Sequence, residues 1–162
     1  LKAVAQEGYL VATTDMPLNL AFFGINKAES LIAVAPEIQR WAIGGHSLGG
    51  VAAARFARTH PETIDGLVLW ASFPADSDSL AERTDLTVVS IYGTNDGLMS
   101  TDTIDESRVL LPPDAQFIPV EGGNHAQFGW YGEQSGDNVA SIDRLAQQGQ
   151  VVAATLSALS KQ

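Results

Sequence analysis

Gly44-Gly45-His46-Ser47-Leu48-Gly49-Gly50 is the stretch on which the fold turns. The short apolar run Trp41 to Gly44 before it reads as a strand. The small-residue run from Ser47 to Thr59 (SLGGVAAARFART) after it reads as a helix able to lie close against a sheet, ended by His60-Pro61. A serine at such a strand-to-helix hinge sits in strained backbone, so its hydroxyl projects from the C-terminal edge of the sheet. Glycines two positions to either side, Gly45 and Gly49, leave room for the tight turn. The first N–H groups of the new helix, chiefly that of Leu48, are free to stabilise an oxyanion. A phosphate cradle is the competing reading, but no Gly-Lys-Ser/Thr follows and G-x-G-x-x-G does not fit.

Outward from this hinge, short β-rich runs alternate with helical ones, the pattern of an α/β fold with a mostly parallel sheet sandwiched by helices. Upstream, Leu1 to Glu7 reads as the tail of a helix closed by Gly8. Tyr9 to Thr13 reads as a first strand, and Lys27 to Ala35 as a helix stopped by Pro36. Downstream, strands are expected over Leu67 to Trp70, Leu86 to Tyr92 and Gln116 to Val120. A closing helix is expected from about Ser141, with Ile142, Leu145, Val152, Leu156 and Leu159 on its apolar stripe; Gly149 weakens it without overruling it.

A serine hydroxyl needs a base to take its proton and a carboxylate to orient that base. Of the three histidines, His46 lies inside the hinge itself and His60 reads as a helix stop at the opposite edge of the sheet. His125, in Glu121-Gly122-Gly123-Asn124-His125, follows the last strand and so reaches the same edge as Ser47. For the acid, Asp96 stands in the turn Tyr92-Gly93-Thr94-Asn95-Asp96-Gly97; Asp76, Asp78 and Glu121 compete, and Asn-Asp-Gly also makes a plain turn. Ser47, Asp96 and His125 then follow one another in the order of a nucleophile, acid and base. Phe128, Trp130 and Tyr131 form either an aromatic wall at the mouth of such a site or packing for the final helix, with packing favoured. His46, Phe128 and Trp130 are the candidates for substrate contact.

These residues resemble those of the α/β-hydrolase superfamily: GGHSLGG for the nucleophile elbow, YGTNDG for the acid turn, EGGNHAQFGWYG for the histidine loop. The likeness is strongest to the small bacterial serine hydrolases near dienelactone hydrolase, the carboxymethylenebutenolidase-like group, although Ser47 stands where that enzyme has cysteine. GHSLGG is also lipase-like and shared by many esterases. The resemblance implies a carboxylic ester hydrolase with Ser47 as nucleophile, Asp96 as acid, His125 as base and Leu48 as one oxyanion donor, acting on a small-molecule ester without metal or organic cofactor. An acyltransferase using the same triad and a non-catalytic binding module are the alternatives. Only Ser72 to Asp85 separates the two strands between which this superfamily commonly inserts a cap, so one short helix and no cap domain is expected. The five expected strands match the family's last five. By that match three strands precede Leu1, the chain is a single N-terminally truncated domain, and the strand whose loop gives the second oxyanion N–H lies upstream. Within this chain, the Met16 to Leu20 loop is the stand-in donor.

Composition narrows the partners. The 162 residues carry 9 Lys and Arg against 19 Asp and Glu, a formal net charge of −10, with the cations scattered singly. No basic patch follows a phosphate backbone, so nucleic acid is not an expected partner. The composition is 45% apolar, and a chain this long hides roughly 70% of its unfolded surface, enough for one real core. Cysteine is absent, which removes thiolate chemistry and leaves the compartment open between cytoplasm and exterior. No apolar run approaches the roughly 20 residues of a membrane span. Oligomeric state is not legible.

Overall fold

The computed structural model describes residues 1–19 and 21–160. Four strands, β1 (Trp41–His46), β2 (Ile64–Trp70), β3 (Thr87–Gly93) and β4 (Gln116–Val120), form one parallel sheet in the order β1-β2-β3-β4. Five α-helices accompany them among the described residues: α1 (Lys2–Gln6), α2 (Lys27–Ala33), α3 (Leu48–Thr59), α4 (Thr101–Ser107) and α5 (Arg144–Leu159). Among the described residues, no helix is long and apolar enough to cross a membrane.

Alternation along the strands sorts the core into two layers. Leu67, Leu69 and Val88 face α3 and pack with Ala53, Ala54, Phe56 and Ala57, whereas Val68, Val89, Ile91 and Val120 face α5 and pack with Val151, Ala154 and Ala158. Small residues on α3 make the close approach possible. Phe56 is fully buried there and contributes about 2–3 kcal/mol by leaving water. Gly44 fits the same logic, because a Cβ on it would stand 2.7 Å from Val68 O.

The first of the five expected strands, Tyr9 to Thr13, does not form. Tyr9–Thr13 is coil, its side chains half-buried or exposed, and no strand pairs with the outer edge of β1 among the described residues. Strand-forming side chains are not sufficient, because a strand exists only where its main chain finds a ladder. Instead Tyr9–Thr14 faces Trp41, Ala42, Ile43 and Gly44 across a largely apolar cavity of about 670 Å³. Met16 lines that cavity too; Leu20, at the far end of the expected donor loop, lies outside the described residues.

Other boundaries move by a few residues. The strand expected to end at Gly44 runs on to His46, and that expected from Leu67 begins at Ile64. The last helix starts at Arg144, not Ser141, because the Asp143 side chain caps it by accepting the Ala146 N–H at 2.8 Å. Its buried face is Gln147, Val151, Ala154, Thr155 and Ala158, which puts Leu145 in solvent at 73% exposure. Between β2 and β3 the described residues form one short 3₁₀ turn, Asp76–Asp78.

Candidate active site

Because all four strands are parallel, the segments leaving β1, β3 and β4 emerge at one edge of the sheet, and these carry Ser47, Asp96 and His125 respectively. Ser47 has φ 53° and ψ −125°, a region in which L-residues are strained. The neighbourhood fixes it. Its N–H donates to Trp70 O at 3.0 Å, and its carbonyl accepts from Gly50 N, Val51 N and the buried Ser72 hydroxyl, the last at 2.7 Å. Gly45 is required for contact, since a Cβ there would overlap the main chain of Gly49; a Cβ on Gly49 meets nothing within 4 Å. Leu48 opens α3, so its N–H belongs to the first turn, which has no intrahelical acceptor.

The structure brings Asp96 and His125 together. Asp96 Oδ2 lies 2.8 Å from His125 Nδ1, with both side chains almost wholly buried, while Oδ1 accepts from Leu98 N at 2.8 Å and Met99 N at 2.7 Å. The competing carboxylates go elsewhere: Asp76 is exposed, Asp78 lies 3.9 Å from Arg58, and Glu121 accepts from the Thr94 hydroxyl. The other imidazole nitrogen, His125 Nε2, is buried without a hydrogen-bond partner among the described residues, so no hydrogen bond joins it to Ser47 Oγ.

The acid turn and the histidine loop are laced together. Thr94 N donates to Val120 O and Asn95 N to Gly123 O, and the Thr94 hydroxyl accepts from Gly122 N. Two side chains hold the histidine loop from either flank. Gln147 of α5, fully buried, accepts from Asn124 N at 3.0 Å and donates to Asn124 O at 2.8 Å. Asp137 accepts from the backbone of both Gly97 and His125. Neither was among the expected site residues. Gln147 carries a readable signal, a polar residue on the stripe of Val151, Ala154 and Ala158, where burial demands a partner.

His46 packs on His125 with ring centroids 4.5 Å apart, and stacks on Phe128 and Tyr131 at 5.7 Å each. Burial, followed by the charge of His125, lowers the His46 pKa from 6.5 to about 4. The neutral ring shares a hydrogen bond with the Tyr131 hydroxyl, which lies 2.5 Å from Nδ1. Burial in turn holds the Tyr131 phenol above its ordinary pKa, against the pull of Arg144. The three aromatics part company: Phe128 is buried against α5, as packing predicts, whereas Trp130 and Tyr131 are exposed, with the Arg144 guanidinium 5.3 Å from the Trp130 ring centre. His60 ends α3 as expected, with Nε2 3.1 Å from Glu29 Oε1.

Similarity to solved structures agrees with the architecture. A predicted CIB-like hydrolase from Thermoplasma acidophilum superposes with a TM-score of 0.63 at 16% identity, covering 94% of this chain and 66% of that one. An esterase from Thermogutta terrifontis gives 0.62 at 12% identity, covering 94% and 75%. An alpha/beta hydrolase enzyme from a sediment metagenome of the Mar Chica lagoon, Morocco, gives 0.54 at 17%, covering 67% and 62%. The chain thus spans a little under two-thirds of the length of the first and third of these. At such identities the likeness concerns the fold. No curated protein matches the sequence. The family model described as the alpha/beta hydrolase family matches residues 1–149, and the chain belongs to that family.

Proposed function

We propose that the chain carries the catalytic centre of a serine hydrolase that cleaves a carboxylic ester. Ser47 Oγ attacks the carbonyl carbon while His125 Nε2 takes the hydroxyl proton, and Asp96 holds the imidazole through Nδ1. The Leu48 N–H meets the negative charge on the carbonyl oxygen. His125 then returns the proton to the departing alcohol, and water, deprotonated by the same nitrogen, releases the acid from the acyl-enzyme. The observation that carries this reading is the pairing, at one sheet edge, of a serine at φ 53° with a buried Asp96–His125 hydrogen bond whose second nitrogen is unengaged. Unformed Ser–His hydrogen bonds are common in free enzymes and close when substrate binds.

Completion of the sheet on the β1 side belongs to the same proposal: a strand laid along the edge of β1 that has no partner among the described residues fills the apolar cavity and brings a second N–H towards Ser47. The test is intact mass after incubation with a fluorophosphonate, followed by peptide mapping, with Ser47→Ala as control and a panel of small esters alongside. One adduct on Ser47, absent from the control, together with ester turnover, is the expected result. An unlabelled, inactive chain that stays inactive when extended at its N-terminus rejects the reading.

A further inference from the structure

We propose that Asp137 is a positioning residue for Asp96 and His125: one carboxylate, by accepting main-chain N–H groups from the acid turn and the histidine loop at once, sets the separation across which their hydrogen bond forms. This rests on the triad reading for its link to activity, but not for its geometry. Asp137 Oδ1 accepts from Gly97 N at 3.0 Å and His125 N at 3.2 Å, and Oδ2 accepts from Ala126 N at 2.8 Å. Oδ1 also accepts from Asn138 N at 2.9 Å, and Asn138 O takes the side-chain N–H of Asn124 at 2.7 Å. The segment around Asp137 is therefore fixed to the residues on both sides of the His125 Cα, and to the residue directly after Asp96.

A carboxylate is the side chain this position calls for. All four neighbours are donors, and only an ionised carboxyl accepts from all of them without offering a hydrogen in return. Partial burial raises its pKa, but the bonds from Gly97, Ala126, His125 and Asn138 outweigh that and leave it below the ordinary value, so it is charged at neutral pH. Asp96 has its own donors, in Leu98 N, Met99 N and His125 Nδ1, so the two acids divide the loop between them without sharing a hydrogen. Contact is close as well as polar: a Cβ on Gly97 would stand 2.6 Å from both Asn138 N and Gly136 O. Two independent changes thus disturb one clamp. Asp137→Asn removes the charge and leaves one N–H group, that of Ala126 if the amide oxygen keeps the place of Oδ1, facing a donor, and Gly97→Ala pushes the segment off the acid turn without touching the carboxylate.

The experiment measures ester turnover and the low-field proton resonance of the Asp96–His125 hydrogen bond in the wild type, Asp137→Asn, Gly97→Ala and the exposed-charge control Asp105→Asn. Displacing catalytic groups by about 1 Å costs on the order of 100-fold, so kcat is expected to fall about 10- to 100-fold in both clamp variants, with KM within about two-fold. The low-field resonance is expected to vanish or broaden in both while circular dichroism stays native. If Asp137→Asn fails to fold, Gly97→Ala carries the test. A folded clamp variant that keeps both kcat and the resonance overturns the proposal. A wild type that shows the resonance but gives no turnover and no fluorophosphonate adduct, with or without the N-terminal extension, rejects the hydrolase reading, and the resonance in the variants then decides the clamp. A wild type with neither overturns both.

Discussion

Asp96 Oδ2 and His125 Nδ1 lie 2.8 Å apart, sealed from solvent on both sides. In such a site the acid fixes which ring nitrogen carries the hydrogen, and with it which one is free to accept a proton. Asp96→Asn keeps the shape and presents an amide that favours the wrong tautomer. For an ester substrate, kcat is expected to drop by about 10⁴-fold with little change in KM. A loss of less than about 10-fold in steady-state assays would mean that another group orients His125.

The two glycines of the elbow look equivalent in sequence but not in the fold. The atoms nearest a Cβ on Gly45 are main-chain atoms of Gly49 and Gly50, and main chain held by a helix and a sheet does not yield. Gly45→Ala is expected to cost about 2 kcal/mol or more and to lower Tm by roughly 4–8 °C. Gly49→Ala meets open space at the start of α3 and is expected to be neutral or to stabilise by up to about 1 kcal/mol. Thermal unfolding of the two variants side by side checks the contrast.

The elbow was legible because its signal is local: a strand, a hinge serine and a helix within one short stretch. The loops bearing Asp96 and His125 were legible because strand order delivers them to one edge. Tyr9–Thr13 was misread because a strand is a property of two segments, and its side chains say nothing about whether a ladder lies beside them. Leu145 was misread because its apolar character fitted a stripe that the Asp143 cap sets differently. Asp137 left no signal at all. Its bonds run to main-chain groups, the farthest 40 residues away, and no side-chain pattern in Gly97 or Ala126 announces them.

Gln147 meets Asn124 as one peptide group meets another, donor to acceptor and acceptor to donor, in full burial. Gln147→Leu keeps much of the volume and leaves the N–H and C=O of Asn124 unpaired. Each orphaned group costs about 1–3 kcal/mol, so a loss of about 2–6 kcal/mol in unfolding free energy is expected. Urea titration at neutral pH reads it. A change below about 1 kcal/mol would show that water or a shifted loop satisfies Asn124 instead.

His46 makes the fold sensitive to acid. Its pKa falls from 6.5 to about 4 on folding, so below pH 6.5 the unfolded chain takes up a proton that the folded chain refuses. Stability is fully present above pH 6.5, declines as pH falls towards 4, and loses nothing more from this group below that. The folded environment is mixed: burial and the charge of His125 oppose protonation, while Asp96 and Asp137 favour it. The loss attributable to His46 is bounded by about 3 kcal/mol. His46→Phe retains a flat ring against Phe128 and Tyr131 but has no proton to gain. Its unfolding free energy, measured by urea titration at pH 7 and pH 4.5, is therefore expected to fall less between the two than that of the wild type. An equal fall in both proteins would assign the acid sensitivity to the carboxylates.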